Sequence, residues 1–87
     1  MEELLKEIGI DKLITVQDGK SVIDIADERE YGRIYTLLDR SDLIEEDEES
    51  SMITMDSSSI QYDNDDYILT LIADFNLNEY KLVIKEV

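Results

Sequence analysis

Lys12-Leu13-Ile14-Thr15-Val16-Gln17-Asp18-Gly19-Lys20-Ser21-Val22-Ile23-Asp24-Ile25-Ala26 reads as two strands joined by a turn. Asp-Gly between apolar runs favours a two-residue type I′ turn, because both central residues need positive φ. That turn pairs Gln17 with Lys20, Val16 with Ser21, Ile14 with Ile23 and Lys12 with Ile25. One face then collects Ile14, Val16, Ile23 and Ile25, while Thr15, Gln17, Lys20 and Asp24 fall opposite. Turn chemistry and side-chain pattern agree on an antiparallel hairpin.

Helices flank this hairpin on both sides. Glu2 to Ile8 places Leu4, Leu5 and Ile8 on one helical face, and Gly9 supplies the stop. Asp27-Glu28-Arg29-Glu30 has the form of a capping box, with Asp27 at the N-cap and Glu30 three residues on. Tyr31, Ile34, Tyr35 and Leu38 follow at helical spacing to about Arg40.

Further out, Leu43-Ile44 leads into the acidic run Glu45 to Glu49, an exposed connection, helical turn or edge strand. Met52 to Met55 and Ile60 to Tyr62 read as strand pieces split by Ser57-Ser58-Ser59, with an inward phase that shifts between them from Ile53 and Met55 to Ile60 and Tyr62. Such a shift asks for a turn or bulge. Asn64-Asp65 marks another turn. Tyr67 to Phe75 alternates as a central strand, with Tyr67, Leu69, Leu71, Ala73 and Phe75 on one face. A loop at Asn76 to Glu79 pairs Phe75 with Tyr80, Ala73 with Leu82 and Leu71 with Ile84. The expected fold is a single α+β domain over residues 1–87, with the Asp-Gly hairpin and a C-terminal meander in an antiparallel sheet and two short helices packed on it.

Charge is distributed far less evenly than hydropathy. Between Ser41 and Tyr80 there are twelve acidic residues and no Lys or Arg, so this window holds −12 of the chain's −15. Like charges repel, and folding brings them closer. A surface built only for solubility can interleave both signs. The segregation therefore points to a basic partner. The residues assigned to partner contact are Asp42, Glu45, Glu46, Asp47, Glu48, Glu49, Asp56, Asp63, Asp65 and Asp66. Alternate residues of a strand stand about 6.6 to 6.8 Å apart on one side, close to the spacing of successive phosphates. On that reading Glu45/Asp47/Glu49, Glu46/Glu48 and Asp63/Asp65 imitate a short nucleic-acid backbone.

Other chemistries fare worse. There is no His and no Cys, so catalysis would fall to carboxylates and tyrosines in a chain of 87 residues with little material for a walled cleft. No enzymatic activity and no cofactor are expected. Asp63-Asn64-Asp65-Asp66 fails as a calcium loop, since the fifth, sixth and twelfth positions are Tyr67, Ile68 and Asp74. A net charge of −15 opposes direct nucleic-acid binding, whose affinity is dominated by phosphate. It also opposes anionic lipid surfaces, and no apolar run approaches a membrane span. The Met1-Glu2-Glu3 start lacks the basic and apolar regions of a signal peptide, so a cytoplasmic protein is expected.

In its size, lack of cysteine, α+β layout and cation-free Ser41–Tyr80 stretch, the chain resembles the small acidic DNA-mimic inhibitors of phages and mobile elements. These are the anti-CRISPR proteins, the anti-restriction proteins and the phage uracil-DNA glycosylase inhibitor. Leu69-Thr70-Leu71-Ile72-Ala73-Asp74 with Lys81-Leu82-Val83-Ile84 also resembles that glycosylase inhibitor's terminal hairpin, which has no counterpart to the Asp18-Gly19 turn. The resemblance implies a non-enzymatic inhibitor that occupies the basic nucleic-acid site of a host enzyme such as a CRISPR nuclease. An immunity protein or antitoxin against a cationic toxin uses the same electrostatics. A phage structural or regulatory domain that is acidic only for solubility is the third reading.

Overall fold

The computed structural model covers residues 1–87 and runs α1 (Glu2–Ile8), β1 (Thr15–Gln17), β2 (Lys20–Ile25), α2 (Glu28–Arg40), β3 (Glu45–Ile53), β4 (Ser57–Asp63), β5 (Tyr67–Asp74), β6 (Glu79–Glu86). All six strands form one sheet in the order β1-β2-β6-β5-β4-β3, and every neighbouring pair is antiparallel. The expected α+β fold is the one observed.

Local chemistry accounts for the element ends. Asp18 and Gly19 both take positive φ, as the type I′ turn requires, and Gln17 faces Lys20. Gly9 closes α1 in the left-handed region at φ 103°, where a side chain would be strained. Asp27 caps α2 by accepting from the Glu30 amide at 2.8 Å. Glu30 reaches back to the Ala26 amide, one residue before the position a reciprocal box would use, and takes Lys12 in the chain's single ion pair.

Residues of alternate parity on the strands build the core. Ile23, Leu69, Leu71, Ala73, Leu82 and Ile84 point to the face that α1 and α2 cover, where they meet Leu5, Ile8, Ile34 and Leu38. The opposite face, on which Val22 is buried among its neighbours and Val83, Thr70 and Ile72 are half-buried, has no helix or second sheet over it.

Four details differ from the sequence reading. The first hairpin ends at Thr15, so Ile14 and Lys12 do not pair with Ile23 and Ile25, and Val16 is 76% exposed. β1 is a three-residue edge strand that pairs with β2 alone, which leaves Val16 open to solvent. The serines Ser57 to Ser59 open β4 rather than interrupting it, because the reversal falls at Thr54 to Asp56. There the Thr54 hydroxyl accepts from the Asp56 and Ser57 amides. Ile53 and Met55 consequently face solvent instead of the core. Finally, β5 and β6 close at Asp74–Glu79 and pair Ala73 with Tyr80 and Leu71 with Leu82, two residues from the expected register. An even shift leaves every side chain on its expected face.

Candidate protein-interaction surface

β3 pairs with β4 alone and forms one edge of the sheet. Its start is fixed by Ile44, which is buried in the core. Charged edges discourage pairing with another chain's strand, which gives the acidic run one local use.

The adjacent turn is tied to this start. Asn64 accepts from the Asp66 and Tyr67 amides through Oδ1, both at 2.8 Å, and donates through Nδ2 to the Leu43 carbonyl. That clamp gathers Asp42, Glu45, Asp63 and Asp65 around one shallow hollow at the end of the sheet. Glu45 and Asp63 stand directly opposite each other across β3 and β4. Like charges so placed are destabilising. Asp66 belongs to the same turn, so nine of the ten assigned acids lie along this edge and end of the sheet.

Asp56 does not join them. It sits beyond the other end of β4, about 20 Å away at the usual strand rise. Asp47 joins them in position but not in freedom. Between Asp47 and Met52 the β3–β4 ladder slips, with three surplus residues on β3. The Asp47 carboxylate fastens this bulge by accepting from the Ser50 amide, the Ser50 hydroxyl and the Gln61 side-chain amide. The Ser51 hydroxyl completes it, donating to the Asp47 carbonyl and accepting from the Gln61 amide. The even spacing Glu45/Asp47/Glu49 is therefore broken, and the uncommitted acids are Asp42, Glu45, Glu46, Glu48, Glu49, Asp63, Asp65 and Asp66. Ser51, Gln61 and Asn64 shape the surface without any charge of their own. Only the Asn64 turn had a sequence signal.

No acid of this surface is ion-paired, since the one ion pair joins Lys12 to Glu30. No three acids converge closely enough to hold a metal ion. Beneath the edge lies Tyr62, opposite Glu46, with its hydroxyl buried and lacking a protein partner. Burial, and after it the charge of Glu46, push this phenol well above its ordinary range. At the far end of β3, Met52, Ile53 and Met55 are exposed, Met55 to 95%. Comparison with protein-family models, curated proteins and solved structures found no match.

Proposed function

We propose that this chain is a non-enzymatic inhibitor that lays its acidic edge into the basic nucleic-acid-binding site of a host enzyme, with a CRISPR nuclease as the partner named. One observation supports the reading above the others: nine carboxylates on one edge and end of the sheet with no cation paired to any of them. An Arg- or Lys-lined groove made for phosphates accepts such carboxylates through charge-assisted hydrogen bonds. Their summed field also draws a basic cleft in from a distance. Charge at a rim sets rate and specificity more than affinity, which desolvated apolar contacts supply. Met52, Ile53 and Met55 stand exposed on the same strand and its turn, and they fit that second role.

The test is binding of the purified chain to a guide-loaded CRISPR nuclease, with its DNA site empty and with target duplex preloaded. Binding should weaken with ionic strength and should be lost when the site is filled. Reversing Glu46, Glu48, Glu49 and Asp65 to lysine should abolish it, whereas reversing Glu2, Glu3, Glu7 and Asp11 should leave most of it. Undiminished affinity for the DNA-filled enzyme, or none for the empty one, overturns the reading.

A further inference from the structure

The sheet face turned away from the helices carries one ordered row of charges, besides Asp24 opposite Lys81 and Asp74 opposite Glu79 nearer its other end. Lys85, Ile68, Asp63 and Glu45 are consecutive partners across β6, β5, β4 and β3. One step past the Ser21–Ile84 pair, Lys20 stands beside Lys85 and extends the row on β2. The row therefore reads Lys20, Lys85, Ile68, Asp63, Glu45: two cations, an apolar centre, two anions. The next row is neutral through its middle, with Val22, Val83, Thr70 and Gln61 in line. Lys20, Val22, Thr70, Ile72, Lys81 and Val83 line a shallow groove there.

Of the eight cations only Lys12 is ion-paired, so Lys20 and Lys85 are free to meet carboxylates of another copy, while Lys81 stands opposite Asp24. Lys20 beside Lys85 and Asp63 opposite Glu45 are like-charge neighbours, unfavourable within one copy. Turned about an axis along β5, the row meets its own reverse. Lys20 and Lys85 of one copy then lie over Glu45 and Asp63 of the other, twice by symmetry, and Ile68 and Ile72 meet their counterparts.

We infer that the open sheet face is a self-complementary surface on which a second copy of this chain docks through a two-fold axis. Facing sheets cross at about 30° and stand about 10 Å apart, a gap that long lysine stems span. The face is about 500 Å² at a strand spacing of about 4.8 Å, so a pair of copies buries about 1,000 Å², the lower bound for a specific contact. The dimer is therefore weak, and repulsion between two copies of charge −15 weakens it further. Glu46, Glu48, Glu49, Asp65 and Asp66 are not part of the row. Glu45 and Asp63 belong both to the row and to the acidic edge, so self-association is tested on the chain alone, while the nuclease assay rests on Glu46, Glu48, Glu49 and Asp65.

Charge exchange tests it with the purified chain alone. Sedimentation equilibrium from about 10 µM to about 1 mM should show the mass rising from 10.1 kDa toward twice that value. Lys20→Glu with Lys85→Glu should be monomeric throughout, and so should Glu45→Lys with Asp63→Lys, each at least tenfold weaker in self-association. Mixed one to one, the two variants should form a heterodimer, because each acid then faces a lysine in both halves. Should either double variant unfold by circular dichroism, Lys85→Glu and Asp63→Lys take their places. A wild-type chain that stays monomeric to 1 mM overturns the inference, as does a mixture that stays monomeric while the wild type dimerises.

Discussion

Tyr62 is the residue whose position is least comfortable. Its ring fills the core at 1% exposure, and its buried hydroxyl finds no protein acceptor. A buried polar group left unpaired costs about 1 to 3 kcal/mol, so Tyr62→Phe is expected to be neutral or to stabilise by about 1 kcal/mol in urea melts. A loss of more than that would mean the hydroxyl is satisfied in solution. The phenol also sets an alkaline limit. Burial raises it above its unfolded value near 10, as burial also raises Tyr80. The folded state then holds protons that the unfolded state releases, and stability falls as pH climbs past about 10. Tyr62→Phe should flatten that fall. The opposite sign holds at Glu30, lowered by its hydrogen bond from Lys12 and then by the Ala26 amide. Its contribution is present at neutral pH and is lost in acid as the carboxylate protonates. Size, not charge, decides Leu71: fully buried at the sheet centre, Leu71→Ala should cost about 2 to 5 kcal/mol. Exposed Val16→Thr should change stability by less than about 0.5 kcal/mol; equal losses at the two positions would contradict the burial described.

At the level of elements, what was legible in the sequence was local. The Asp18-Gly19 turn, the Gly9 stop and the Asp27 cap each depend on residues within four positions, and each is present. Alternation placed Leu69, Leu71 and Ala73 inward, because period two survives any even slip of register. The β3 bulge was not legible, since Asp47 needs Gln61 on a neighbouring strand to show its purpose. The acids of the candidate surface could be counted from the sequence, but the clamp that gathers them could not be seen. Nor was the separation of Asp56, which follows from the length of β4. Asp47→Ala tests the bulge: losing hydrogen bonds to a half-exposed carboxylate should cost about 1 kcal/mol, and amide exchange at Gln61 should quicken. Asp27→Ala should cost a similar amount through its lost cap. If neither variant differs from wild type in urea melts, these side chains do not hold the elements as described.

Across the whole molecule, the acids work against folding. With a charge of −15 and one ion pair, the compact state gains little attraction to offset its self-repulsion. Added salt at pH 7 should therefore raise the melting temperature, as screening shortens the reach of these charges to about 10 Å at 0.1 M. The Glu45–Asp63 pair sharpens the argument, since two carboxylates face each other across the sheet edge where a neutral residue would serve the strand better. Glu45→Gln should stabilise the chain by about 0.2 to 1 kcal/mol, the range for a cross-strand pair, and more at low salt than at high. The same substitution should slow association with a basic partner, because one steering charge is gone. Gains in stability set against losses in association rate are what a surface retained for binding shows. Urea melts at about 0.02 M and about 0.5 M salt, beside stopped-flow association with the guide-loaded nuclease, measure both sides. If Glu45→Gln destabilises the chain and leaves the association rate unchanged, this carboxylate is serving the fold, and the binding role of the edge loses its energetic rationale.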